Sequence, residues 1–175
     1  MAVQRSPSIL QRSLAEVLGT FLLVFIGAGT GTSVNSVLKG NPSSGLLLVA
    51  LAHGLALLVA FYVIGKVSGA HVNPAVSIAL LSVRKLAWRD AIWYIVAQLF
   101  GAFLGALAIL LVFGKDQALT AGLGATTYGA SVNQFQAAGV EALGAFILVL
   151  AIVGTAADKR SPAGWAGNRT CCPCA

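Results

Sequence analysis

Charge is what this sequence has least of. Only 9% of its 175 residues are charged and 58% are hydrophobic, where an ordinary soluble domain carries about 25% charged residues. That scarcity excludes a water-soluble fold: a chain of this length cannot hide so much apolar surface, and lipid is its solvent over most of its length. Acids are scarcer than bases, five against eleven, for a net charge of +6. No basic patch accompanies the excess, because the cations fall in short segments between apolar runs. Nucleic acid is therefore excluded as a partner, and the cations read as topology signals. Cysteine is absent before Cys171. No Cys, Asp or Glu stands at ligand spacing from His71, so no metal site is expected there. The apolar runs hold no nucleophile–base pair and no metal cluster, so neither an enzyme nor a cofactor is expected. The first apolar run lacks a small-residue cleavage pattern and is too long for a signal-peptide core, so it reads as a retained span.

Four runs are long enough to cross a bilayer. Residues 14–34 number 21, which at the helical rise makes roughly 31 Å, about one hydrocarbon core. Residues 45–65, 88–113 and 135–157 are of similar character. Trp88 and Trp93 suit an interfacial belt at the start of the third run. The 20 glycines are expected where membrane helices approach closely.

Between the second and third runs stands "GKVSGAHVNPAVSIAL", residues 65–80. Its apolar part is too short to span. Asn73 is a good N-cap and Pro74 is tolerated in the first helical turn, so residues 73–83 read as a short helix preceded by irregular backbone at 68–72. Irregular backbone at membrane depth survives only where it is buried in protein or faces water. A re-entrant half-helix lining an aqueous cavity follows. Asn41-Pro42, by contrast, reads as a plain turn.

With the amino terminus inside, nine of the eleven cations (Arg5, Arg12, Lys66, Arg84, Lys85, Arg89, Lys159, Arg160 and Arg169) fall on the inner side, and Lys39 and Lys115 on the outer. The segment from Lys66 to Arg89 then leaves from and returns to one side. The chain also repeats itself. Residues 15–30 align without gaps on 140–155, with eight of sixteen positions identical, among them Glu16/Glu141, Gly19/Gly144 and Thr30/Thr155. Three spans separate the starts of the two copies, so they run in opposite senses: an inverted repeat, as in many channels and transporters. The lack of paired intramembrane cations speaks against a coupled transporter.

The segments "AEVLGTFLLVFIGAGT" (15–30), "SGAHVNPAVSIAL" (68–80), "YIVAQLFGAFLGA" (94–106) and "VEALGAFILVL" with "TAADKRSPAG" (140–164) together resemble the aquaporin (major intrinsic protein) family. The match covers nearly everything from 14 to 167. The resemblance implies an all-α membrane protein: an aquaporin-like helical bundle with a re-entrant half-helix, comprising a first repeat and the start of an inverted second one. It implies a cytoplasmic N-terminus (1–13), a first repeat (14–113), an extracytoplasmic connecting loop (114–133) and an incomplete second repeat (134–167). The function implied is a passive channel for water, with glycerol and ammonia as further small neutral solutes, in a homotetramer when complete. The compact termini suggest a prokaryotic plasma membrane.

Site residues follow from the same resemblance. Asn73, with Pro74 and Ala75, forms the half-helix motif; Asn73 caps the helix and offers its amide to a water oxygen. The carbonyls of Gly69, Ala70, His71 and Val72 form an acceptor ladder, and the half-helix dipole opposes cations. Glu16 and Glu141 brace the two re-entrant loops. His53 falls at the aromatic side of the outer constriction, where histidine resembles plant vacuolar-type members. Gln98 reads as an interhelix hydrogen bond.

Beyond Gly167 the resemblance stops. Offset by 125, the second Asn-Pro-Ala falls near position 198, past the last residue, and "NRTCCPCA" follows instead. The expectation is a C-terminally truncated member whose tail, 168–175, is an aberrant Cys-rich stretch rather than a metal or disulfide clip, three crowded cysteines falling short of a four-ligand site. The polar groups at 68–73 are then expected to meet lipid or a neighbour. The chain alone is expected to conduct poorly; a non-conducting membrane fragment or interaction partner is the alternative function.

Overall fold

A computed structural model describes residues 6–37, 42–127, 129 and 131–154. Arg5, Lys39, Asn41, Lys159, Arg160, Arg169 and the cysteine-bearing tail lie outside these residues. Six α-helices occur among the described residues: α1 (Ile9–Val37), α2 (Pro42–Ser68), α3 (Pro74–Ser82), α4 (Trp88–Phe113), α5 (Lys115–Thr120) and α6 (Gln134–Ile152). Four of them, α1, α2, α4 and α6, are long and apolar enough to cross a membrane.

The ends of the helices follow capping chemistry more than apolarity. α1 starts five residues ahead of the apolar run because Ser8 and Gln11 form a reciprocal box: the Ser8 N–H donates to Gln11 Oε1 at 2.8 Å and the Gln11 N–H to Ser8 Oγ at 3.3 Å. α2 starts at Pro42, a residue suited to a first turn, so Pro42 belongs to a helix and not to a turn. α6 has its own box, Asn133 with Gln136. The short helix α5 falls inside the connecting segment read as loop; its six residues, KDQALT, carry no apolar run to betray it.

α1 and α4 form the spine of the bundle. Gly101 and Gly105, four apart on α4, lie against α1. This is the small-residue spacing that lets membrane helices approach closely. A Cβ at Gly101 would strike the backbone carbonyl oxygen of Val17, and one at Gly105 would come 2.9 Å from the Val24 side chain. At the end of the bundle where both helices begin, Arg12 Nη1 of α1 donates to Asp90 Oδ2 of α4 at 2.7 Å. Asp90 also sits in the first turn of α4, where the helix dipole favours a carboxylate. Both side chains are about one-fifth exposed, so the pair is worth about 1 kcal/mol. Arg12→Ala should lower the melting temperature by roughly 2–4 °C, read by thermal unfolding in detergent. A loss of the fold would contradict this assignment.

α3 is a short helix set between α4 and α6. Val76, Leu80, Leu86 and Ala91 form a small core against which Leu148, Val149, Ile152 and Val153 pack. The last turn of α6 therefore rests on the half-helix. Elsewhere α6 is open: none of its residues is fully buried among the described residues, and Phe135, Val140, Leu143, Phe146 and Leu150 are exposed.

Candidate functional site

The backbone between α2 and α3 is unusual. Gly69, Ala70 and Val72 have φ of 92°, 50° and 42°. Positive φ is costly for a β-branched residue, and such strain persists only where the surroundings over-determine it. They do so here through one side chain. Glu16 on α1 is fully buried and accepts four hydrogen bonds. Oε1 takes the Ser68 hydroxyl at 2.6 Å and the His71 N–H at 3.0 Å; Oε2 takes the Val72 N–H at 2.7 Å and Gln98 Nε2 at 2.8 Å. A buried carboxylate is tolerable only when so satisfied. Gly19, one turn along α1, makes room: a Cβ there would collide with Ile64 and Val72.

Neighbouring groups extend the network. Ser68 Oγ accepts from the Ala70 N–H at 3.1 Å, and Tyr94 donates its hydroxyl to the Ser68 carbonyl at 2.7 Å. Gln98 Nε2 also donates to Ser77 Oγ at 3.0 Å, and His71 Nδ1 lies 3.1 Å from the same oxygen. The His71 ring meets Tyr94 edge-on at 4.9 Å. His71 is thus held from three sides, and no group of metal-ligating side chains surrounds it among the described residues. The expectation that the polar groups of 68–73 would be left to lipid or a neighbour is corrected here for the N–H groups of the turn, though not for its carbonyl oxygens. The N–H groups of Ala70, His71 and Val72 are all satisfied within the chain, because Glu16 and Ser68 reach them.

Asn73 stands in extended conformation as the N-cap of α3, and its Oδ1 accepts from the Ala75 N–H at 2.8 Å. Pro74 opens the helix, as its missing donor allows. The Asn73 side-chain amide donor has no partner among the described residues, and neither do the carbonyl oxygens of Gly69, Ala70, His71 and Val72. Beside Ala70 lies an open cavity of about 290 Å³, lined by Leu57 and Phe61 of α2 and by Leu148 of α6. His53 lies one turn from Leu57 on the same face of α2, with Nδ1 2.9 Å from the Val49 carbonyl oxygen.

Helices of spanning length, a half-helix capped by Asn73 and a buried carboxylate bracing its approach are thus combined in one sequence, and residues 3–167 match the profile of the Major intrinsic protein family. The chain belongs to that family. "Aquaporin AqpM" of Methanothermobacter marburgensis is 39% identical to it, covering 91% of this chain and 71% of that protein. "Probable aquaporin AqpM" of Archaeoglobus fulgidus is 40% identical over the same shares. "Glycerol uptake facilitator protein" of Bacillus subtilis is 38% identical, covering 82% of this chain and 54% of that protein. With its four apolar helices of spanning length, this member of the major intrinsic protein family is an integral membrane protein with the all-helical bundle expected of it.

Within this member of the family, the residues singled out in the sequence do not all meet. Glu16, Gly69, Ala70, His71, Val72, Asn73, Pro74 and Ala75 form one continuous unit. Glu141, the counterpart of Glu16 in the second copy, is exposed on α6 and has no hydrogen-bond partner among the described residues. Gly144 likewise faces open space where its counterpart Gly19 is tightly enclosed. Ser68, Ser77 and Tyr94 join the network although no motif in the sequence marks them as its partners. A signal was available: Tyr94 and Gln98 are four apart on α4, one polar pair on the face of an apolar helix. Asn73→Ala should cost about 1 kcal/mol through the lost cap, measurable as a lower unfolding midpoint with the helical content retained.

Proposed function

We propose that this chain forms a passive path for water and small neutral solutes, with the turn 69–73 as one wall of the conduit. A single observation carries the reading: the amide donor of Asn73 and four successive carbonyl oxygens are left without partners among the described residues, although Glu16 and Ser68 satisfy the N–H groups of the same turn, and Ala70 of that turn lines an open cavity. Acceptors along the wall and a donor at the half-helix N-terminus orient a passing water, and the helix dipole there repels cations. His53, Gly69, Ala70, His71, Val72, Asn73, Pro74 and Ala75 are the proposed solute-path residues, with Glu16 as the brace of this turn and Glu141, which has no partner among the described residues, as the brace proposed for a second loop. The names of the relatives, aquaporin and glycerol uptake facilitator, support the same solute class. His53, one turn beyond the cavity-lining Leu57, is the proposed side chain of the outer mouth, where its bulk and polarity choose between water, glycerol and ammonia.

The cytoplasmic placing of the N-terminus, the prokaryotic plasma membrane, the homotetramer and the division into a first repeat at 14–113, a connecting loop at 114–133 and a second repeat from 134 belong to the same proposal. The excess of inner cations and the archaeal and bacterial sources of the three relatives named above support it.

Asn73→Asp tests the path directly. The carboxylate keeps an acceptor for the Ala75 N–H, so the cap and the fold survive, while the donor facing the solute is replaced by an anion. In proteoliposomes followed by stopped-flow light scattering, water permeability should fall about tenfold or more with the melting temperature unchanged. Equal permeability of Asn73→Asp and the parent chain would refute the proposal.

A further inference from the structure

The imidazole of His53 lies against α1 at a position where there is no side chain. A Cβ built on Gly27 would stand 2.5 Å from both Nε2 and Cδ2 of His53 and 2.8 Å from Cε1. Carbon–carbon contacts are comfortable only at about 3.5–4.0 Å, so no residue other than glycine fits with the ring where it is. The other edge of the ring is fixed as well. Nδ1 faces the Val49 carbonyl oxygen at 2.9 Å, and a carbonyl can only accept. Nδ1 therefore carries the proton, and in the neutral ring Nε2 is left as an acceptor. That acceptor edge is turned toward Gly27. One bond to its own helix and one missing methyl on the next helix hold the ring to the wall.

We propose that Gly27 is the positioning residue of the outer mouth: the absence of a side chain at 27 is what allows His53 to lie flat against α1 and leave the solute path open. The inference rests on the reading of His53 as the mouth residue. Gly27 touches no solute; it acts through the ring. His53 shares its helical face with Leu57 and Phe61, which line the cavity, and is only partly buried. A methyl at 27 must drive the ring away from α1, across that face, narrowing the mouth and loosening the bond to Val49. One methyl's worth of bulk at a steric boundary changes selection by about tenfold or more, and glycerol, wider than water, is the solute it should exclude first.

The test uses the full chain in liposomes with four variants: Gly27→Ala, His53→Ala, the double variant, and Gly139→Ala as a glycine with open space around it. Two measurements are made, the first on all four and the second on Gly27→Ala and Gly139→Ala, which keep His53. The first is water and glycerol permeability. The second is the rate at which diethyl pyrocarbonate acylates His53, read by peptide mass spectrometry; it needs no flux, and His71 is the only other histidine. Gly27→Ala should lower the glycerol-to-water permeability ratio about tenfold and speed acylation of His53, because Nε2 leaves its shelter. In the His53→Ala background the same substitution should change nothing, and Gly139→Ala should match the parent. If Gly27→Ala leaves acylation unchanged, or alters the ratio equally without the imidazole, the positioning role is wrong. If instead His53→Ala leaves the ratio unaltered, the mouth reading fails, while acylation still decides whether Gly27 seats the ring. Should Gly27→Ala fail to fold, recovery of the fold in the double variant supports the steric account and continued failure overturns it.

Discussion

Glu16→Ala is expected to release the re-entrant turn and to lower stability by about 4 kcal/mol, near the top of what a single substitution does. The reason is the number of donors it would orphan. The hydroxyl of Ser68, the N–H groups of His71 and Val72 and the amide of Gln98 all converge on this one carboxylate. Each buried donor left unpaired costs roughly 1–3 kcal/mol, and the loop can relax to recover only part of that sum. The positive φ of Ala70 and Val72 would then be held only through Ser68, by its bonds with the Ala70 N–H and Tyr94, so the turn should leave its strained conformation and carry Asn73 out of place. Glu16→Gln should be milder. An amide oxygen still accepts from the turn. Gln98 Oε1, now buried without a partner, becomes available to the new Nε2 once Gln98 flips. The measurement is thermal unfolding of the reconstituted chain together with water flux. The order parent, Glu16→Gln, Glu16→Ala is expected in both, and a midpoint for Glu16→Ala within about 2 °C of the parent would remove the bracing role.

Gly101→Leu is expected to abolish folding, and Gly101→Ala to cost about 3 kcal/mol. A Cβ at 101 meets the carbonyl oxygen of Val17, with the carbonyl carbon and Cα of the same residue at 3.1 Å. Backbone atoms cannot turn aside as a side chain can, so α1 and α4 must move apart as rigid bodies. The damage then reaches the site, because α4 carries Tyr94 and Gln98 and α1 carries Glu16. Gly105→Ala should do less harm, since its nearest neighbours, Val24 Cβ at 2.9 Å and the Phe21 carbonyl oxygen at 3.1 Å, are met less closely than the Val17 carbonyl oxygen is at 101, so a smaller separation of the helices relieves them. Gly139→Ala, with nothing within 4 Å, should be neutral. Unfolding midpoints of the four variants in detergent give the ranking, and a Gly101→Ala midpoint equal to that of Gly139→Ala would contradict the close helix crossing.

Parts of this molecule can be read without coordinates, for definite reasons. The third span is found over Trp88–Phe113, as its apolar run indicates, because flanking charge and a following glycine mark both its ends. Asn73-Pro74 marks the start of the half-helix because capping and the missing proline donor are local rules. The extra turns at the start of α1 and α2 escape an apolarity reading, since Ser8, Gln11 and Pro42 act through backbone hydrogen bonding. The network escapes it for another reason. Ser77 and Tyr94 are polar residues in apolar helices, and nothing in their neighbours along the chain says that Ser77 will meet Gln98, or that Tyr94 will meet the carbonyl of Ser68.

Composition and periodicity alone established that lipid is the solvent, that four segments are long enough to span, and that one short helix begins where none should cross. These are properties of each segment by itself, and burial of apolar surface and backbone satisfaction dictate them whatever the neighbours do. The tertiary structure alone decided which donors Glu16 gathers. Glu16 and Glu141 sit in matching sequence, yet only Glu16 is enclosed, because the value of a buried carboxylate depends on the donors brought to it from residues 52 to 82 positions away.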